Sequence, residues 1–155
     1  WDIECKSSHG DFPLPKKTYT KLAMEIITKI VNKEIPNHKV FEDNDFLAFL
    51  DVYPHAKGHT VIIPKEHVNL ISELDDDKSK DLMLIIKKVM KIIKDKLNPD
   101  GFNVGWNSGE SAGQVVPHLH IHIIPRYDGD GGGSIHSIIK NPGDLAVEEV
   151  AKLFN

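Results

Sequence analysis

His118, His120 and His122 occupy every second position of the run HLHIHII. In an extended strand successive side chains point to opposite faces, so this spacing puts the three imidazoles on one face and Leu119, Ile121 and Ile123 on the other. Neighbours on the polar face would stand about 6.6–7 Å apart. A lone histidine is usually a surface residue or a satisfied core residue, but three in strict alternation are poor core material and point to chemistry. Two chemistries suit them. Neutral imidazole is a common metal ligand, and alternating histidines can share one ion. Alternatively, one imidazole attacks phosphorus while its neighbours bind the oxygens or protonate the leaving group, with no metal involved. The residue types leave both open.

The segment feeding the row, NSGESAGQVVPH, supplies Asn107, Ser108, Gly109, Gly113 and Gln114. Glycine lets a backbone approach phosphate oxygens closely, and exposed amide groups form an anion-binding concavity. Alone this segment reads as a turn; beside the histidine row it reads as a phosphate loop.

These residues need elements to hold them. Leu22, Ile26, Ile27, Ile30 and Val31 recur at helical spacing and predict a short helix ending before Pro36. KVFEDNDFLAFLD predicts a hairpin turning at residues 42–45, and HTVIIP a strand closed by Pro64. From about Asp75 to Leu97, a helix is predicted with aspartates at its positive end and a core stripe of Leu82, Ile85, Ile86, Val89, Met90, Ile93 and Leu97. FNVGWNSG and PHLHIHIIPR predict two further strands, and Asp144 is placed to cap a short C-terminal helix, LAVEEVAKLF. The expected fold is α+β: a mostly antiparallel sheet with one long helix and a short C-terminal one.

The 155 residues suit one domain, and 40% hydrophobic with 27% charged residues is ordinary for a water-soluble one. Residues 1–21 mix Gly10, Pro13 and Pro15 with charges and read as a poorly ordered extension or leader, leaving 22–155 as the domain. A net charge of −4 gives no basic field for nucleic acid, and no apolar run approaches membrane-spanning length. The single cysteine, Cys5, offers neither a disulfide nor a cysteine-built zinc site and fits a cytoplasmic setting.

At the histidine row the sequence resembles the histidine triad family of nucleotide hydrolases and transferases, bacterial-type or Hint-like. The family's defining His-x-His-x-His followed by apolar positions is met by HLHIHII. NKEIPNHKVFEDNDFLAFLDVYPHAKGHTVIIPKEH resembles the family's N-terminal half and NSGESAGQ its loop, so the likeness runs from about Met24 to Arg126. It implies a HIT-like sheet fold that forms a homodimer and binds a purine nucleotide, needing no cofactor and no metal. His120 would be the nucleophile, forming a nucleotidyl-histidine intermediate at the α-phosphate, its other nitrogen held by a backbone carbonyl. His122 would contact phosphate and assist the leaving group, with His118 and His59 setting tautomer and orientation. Ile26, Ile27, Ile30, Phe49 and Val52 would surround the base and Asp51 would bind the ribose, with Asn107, Gly113, Gln114 and Val115 beside the phosphate.

The implied activity is cleavage of purine nucleoside phosphoramidates or nucleotidyl conjugates. The alternatives are a dinucleoside polyphosphate hydrolase and a nucleotide-binding regulatory module with little turnover. A phosphoramidase branch carries serine where this chain has Val115, so a hydroxyl that could help the leaving group is missing. IPRYDGDGGG resembles bacterial members and partly the diadenosine polyphosphate hydrolases. Arg126 reads as an exposed arginine before a phosphate ligand. Ile27 and Ile30 occupy the area where some members carry zinc-binding cysteines. His9, His38, His55 and His136 read as surface or loop residues and His67 as the opening of a helix.

Overall fold

The structure, a computed structural model, describes residues 16–154. One antiparallel sheet of five strands runs in the order β1-β2-β3-β5-β4, with β1 Lys39–Glu42, β2 Phe46–Leu50, β3 Thr60–Pro64, β4 Gly101–Gly105 and β5 Ile121–Arg126. Three α-helices accompany it: α1 Lys16–Val31, α2 Asp76–Leu97 and α3 Val147–Ala151. None of the described helices is long and apolar enough to cross a membrane.

Local chemistry explains the elements that carry the site. The β1–β2 hairpin closes because the Asp43 carboxylate accepts hydrogen bonds from the backbone N–H groups of Asp45 (2.9 Å) and Phe46 (2.7 Å). α2 starts where Asp75 accepts from Asp77 N and Lys78 N, satisfying two of the unpaired donors of the first turn. It ends at Asn98, whose left-handed φ of 47° unwinds the chain ahead of Pro99.

Alternation along the strands divides the core into two layers. Phe46, Ala48, Ile62, Ile121 and Ile123 meet Leu82, Ile85, Ile86, Val89 and Ile93 of α2 on one face. Leu47, Val61 and Ile63 point the other way and receive Ile27, Ile30 and Val31 of α1. Because Ile121 and Ile123 belong to the α2 face, His122 between them belongs to the α1 face.

Three expectations are corrected. The helix expected from Leu22 already begins at Lys16 as α1; the rest of the expected leader, residues 1–15, lies outside the described residues. Asp144 does not cap α3, whose N-cap is Ala146 and which has no side-chain cap. The strand expected from Pro117 begins only at Ile121. Pro117 has no N–H for a ladder, and the next donors turn elsewhere: His118 N to Val116 O and Leu119 N to Val68 O. His118 and His120 therefore precede the ladder instead of lying within it.

That detour carries His118 into the core, where it is 1% exposed and Nε2 donates to the Pro64 carbonyl at 3.0 Å. Burial pushes its pKa from the ordinary 6.5 down to about 4, so the ring is neutral at pH 7. Gly58, just before His59, has φ +84°, and a Cβ there would strike the Leu97 side chain at the end of α2.

Two predictions follow from these positions. The unfolded chain binds a proton at this imidazole below pH 6.5 while the folded protein resists until about 4, so stability is full above 6.5 and lost as pH falls through that window. The loss attributable to His118 is on the order of 3 kcal/mol, read as urea unfolding free energy against pH; an equally steep acid limb in His118→Gln would refute it. Gly58→Ala, strained in backbone and blocked by Leu97, should cost about 1–3 kcal/mol in the same measurement.

Candidate active site

The buried histidines form two chains of hydrogen bonds whose tautomers can be worked out, because a neutral imidazole has one donor and one acceptor nitrogen. In the first, the Pro64 carbonyl can only accept, so His118 carries its proton on Nε2. His118 Nδ1 then accepts from Nδ1 of His67, 3.0 Å away. The His118 backbone carbonyl in turn accepts from His120 Nδ1 at 2.7 Å. That bond fixes the proton of His120 on Nδ1 and makes Nε2 the nitrogen with the lone pair. His120 is 7% exposed, so its ring is held by packing as well.

The second chain runs through His59, 1% exposed at the start of β3. The backbone N–H of His55 donates to His59 Nδ1 at 3.2 Å. The His59 proton therefore sits on Nε2, which meets His122 Nδ1 at 3.0 Å. It follows that neutral His122 carries its own proton on Nε2. The rings of His120 and His122 stand edge to face with centroids 5.1 Å apart, presenting a lone-pair nitrogen and an N–H from adjacent residues.

Asp51 follows β2 and pairs with the start of β3 through Asp51 N to His59 O, 2.9 Å. Its Oδ1 accepts from Tyr53 N at 2.9 Å, and its Oδ2 lies 3.8 Å from His59 Nδ1. Among the described residues Asp51, His59 and His122 form the one group of three that could hold a metal ion, their ligand atoms lying within 4.8 Å of one another. They are strung in a chain instead of a cage: His59 turns Nδ1 to Asp51 and Nε2, at the far side of the ring, to His122. A tetrahedral site needs its donors on one centre at about 2.0–2.1 Å. The arrangement suits carrying a proton better than holding an ion.

Register joins these groups to the apolar residues. Phe49 pairs with Val61, Val61 with His122, and His122 with Gly105, forming one row across β2, β3, β5 and β4 on the α1 face. Phe49 is half-buried against Leu47, Val61 and Ile63, together with Ile27 and Ile30; Ile26 is half-buried outside that cluster. Val52 is exposed (64%) at the edge next to Asp51.

In the loop before the triad, Gly109 and Gly113 take φ of +87° and +90°, a region open to glycine at no cost. Asn107 Nδ2 donates to the Gly113 carbonyl at 3.3 Å. Gln114 is buried: Oε1 accepts from Gly109 N at 2.9 Å, and Nε2 donates to the Asn69 carbonyl and side chain, both at 3.0 Å. Gln114 therefore pins the loop to the segment after β3, while Val115 is half-buried beside it. Arg126 is no phosphate ligand in this arrangement: it pairs with both carboxylate oxygens of Asp130 at 2.6–2.7 Å and holds the Gly133 carbonyl at 2.7 Å.

Sequence reasoning missed His67, read as the opening of a helix, and the His55 backbone N–H. No sequence signal marks them, since each acts through a partner that only the fold brings near.

Known proteins resemble this chain in sequence and in fold. A model of the HIT domain matches residues 32–129, well over half of the chain. The chain is 44% identical over 129 residues to an uncharacterised HIT-like protein of Methanocaldococcus jannaschii, covering 83% of this chain and 97% of that one. It is 45% identical over 101 residues to an adenosine 5'-monophosphoramidase of Schizosaccharomyces pombe, covering 65% and 73% respectively. The crystal structure of a HIT family member from Bacillus subtilis superposes with a TM-score of 0.72 at 40% identity, over 83% of this chain and 91% of that chain. A domain model matching most of the chain, relatives at 44–45% identity and a shared fold make this chain a member of the HIT, or histidine triad, family.

Proposed function

We propose that this protein hydrolyses purine nucleoside phosphoramidates or related nucleotidyl conjugates at the α-phosphate through a nucleotidyl-histidine on His120. The carrying observation is the 2.7 Å bond from His120 Nδ1 to the His118 carbonyl, which aims a lone pair at Nε2. A neutral, oriented imidazole is a competent nucleophile at neutral pH. The likeness to adenosine 5'-monophosphoramidases supports the reaction class.

In this reading the base lies against Phe49, Ile26, Ile27 and Ile30 with Val52 at its edge, and Asp51 accepts from the ribose hydroxyls. The loop of Asn107, Gly113, Gln114 and Val115 flanks the phosphate, with Gln114 acting as its positioning residue. His120 Nε2 attacks the α-phosphorus as the bond from phosphorus to nitrogen breaks. The His59–His122 pair enters this step with one excess proton on His59 Nδ1, which releases the His55 N–H from that nitrogen and faces Asp51 Oδ2. His122 gives its Nε2 proton to the departing amine while taking one from His59 at Nδ1. Water then attacks the phosphorylated His120, its proton returns to the pair, and a nucleoside monophosphate leaves with His120 regenerated. Each proton lent to the amine is recovered from water, so the cycle closes without a metal.

A homodimer belongs to the same reading. Ile138, Ile139, Val147, Leu153 and Phe154 are 71–85% exposed in the C-terminal segment, more apolar surface than a lone domain keeps in water without use. Light scattering of the full chain should give twice its 17.4 kDa mass.

Rapid quench with adenosine phosphoramidate should trap an adenylyl adduct that mass spectrometry maps to His120. His120→Ala should lower kcat by at least about a thousandfold while retaining nucleotide binding. Turnover by His120→Ala near the wild-type rate, or inactivation by chelators with metal recovered in stoichiometric amount, would overturn the covalent route.

A further inference from the structure

At the end of the sheet away from β4, the edge strand β1 carries a cluster of charges that the histidines do not use. Lys39 pairs with Phe49 and Glu42 with Leu47, so both face α1. Residues three apart in a regular strand point to opposite sides. Between Lys39 and Phe41 the register shifts by one residue, and this bulge turns Lys39 to the same side as Glu42. The kink in the edge thereby brings an ammonium and a carboxylate to 2.8 Å.

Glu42 is held from two directions. Lys39 Nζ donates to its Oε2, and Lys65 Nζ stands 2.9 Å from its Oε1. Those two ammoniums keep its carboxyl at about 2, well below the usual range, so the clamp persists at neutral pH. A third ammonium, Lys33 Nζ, lies 3.9 Å from Oε2 with its side chain 72% exposed, too far for Glu42 to use its donors. The other carboxylate at this edge, Asp43, is turned into the hairpin, where it accepts from Asp45 N and Phe46 N. Three ammoniums therefore stand around one available carboxylate.

Lys33 also occupies a backbone position that selects against it. Its φ of 64° lies in the left-handed region, where glycine or asparagine usually ends a helix. A long side chain kept at such a position points to a use for its charge.

Between these lysines and the end of α1 lies a depression of about 240 Å³. Ile30, Val31, Ile35, Pro36 and Leu47 give it apolar walls, with Lys33, Lys39 and Glu42 at the rim. Ile27, Phe49 and Val52, which the proposed reaction places at the base, are not among its walls. The lining selects a class of ligand. A metal cation would be repelled by the ammoniums. A bare phosphate would engage the lysines and leave the apolar walls wet, and an uncharged ring would do the reverse. A small molecule that joins an apolar body to an anionic head satisfies both.

We propose that the depression between α1 and β1 is a second small-molecule site, taking an organic anion with a single-ring or short-chain body. Its head lies on Lys33 and Lys39, and its body on Ile35, Pro36 and Leu47. The site stands apart from the histidine cluster and does not depend on the reaction proposed there.

Phenylphosphonate, a ring bonded directly to an anionic head, is the probe, and inorganic phosphate supplies the head alone. Binding is read from the backbone amide shifts of Ile35, Asn37 and Lys39 in the full chain at low salt. Phenylphosphonate should bind at least about tenfold more tightly than phosphate. Lys33→Gly removes the ammonium at a position whose φ suits glycine, so the fold is kept, and it should weaken binding by about fivefold. Lys33→Arg, which restores the charge, should bind as the wild type does. An excess of AMP should leave the shifts in place. Absence of shifts at these amides, equal affinity for the two probes, or full-strength binding by Lys33→Gly overturns the site. So does an equal loss in Lys33→Arg and Lys33→Gly, or displacement of phenylphosphonate from these amides by AMP.

Discussion

The hydrogen bond between the His120 ring and the His118 carbonyl can exist only because the chain abandons the β-ladder for four residues. Inside a ladder that carbonyl would be turned to a neighbouring strand. Pro117 cannot donate, Leu119 N goes to Val68, and the His118 carbonyl is left to accept from a side chain two residues on. Everything about the candidate nucleophile depends on this break: its tautomer, its burial, and the direction of its lone pair. The break in turn depends on burying a neutral imidazole, which is tolerable because Pro64 and His67 engage both ring nitrogens of His118.

Much of the fold was legible in the sequence, for reasons that can be named. The stripe on α2, the Asp43 turn and the closing Pro64 are local signals, set by spacing within a few residues. The triad was legible because alternation and a neighbouring loop coincide, and because both resemble one family. What could not be read was the pairing of imidazoles. His67 and His118 are 51 positions apart and His59 and His122 are 63 apart, so no local pattern couples them. The alternation rule also put all three rings on one face of a single strand, whereas the detour before β5 leaves only His122 in the ladder and buries His118 against Pro64. Arg126, read as an exposed arginine, is instead half-buried and clamped by the Asp130 carboxylate, a contact that no local pattern announced.

The two hydrogen-bond chains approach each other at the rings of His120 and His122. One chain ends in a backbone carbonyl, which can only accept, and so fixes the proton of the candidate nucleophile on Nδ1. The other ends near a carboxylate, which can support an added proton. On the proposed reaction, separating these tasks lets one imidazole keep its Nε2 lone pair for phosphorus while its neighbour, two residues along the chain, handles the proton traffic.

The register row from Phe49 to Gly105 ties catalytic competence to correct pairing of the sheet. A slip of one residue between β3 and β5 would exchange the faces of β5, driving His122 into the isoleucine layer and an isoleucine out toward the substrate. Such a chain could still be compact, yet it would have no proton donor and an unsatisfied imidazole in its core. On the proposed reaction, activity therefore serves as a proofreader of strand register: a count of molecules able to form the covalent adduct is also a count of molecules whose sheet has been assembled in the right phase.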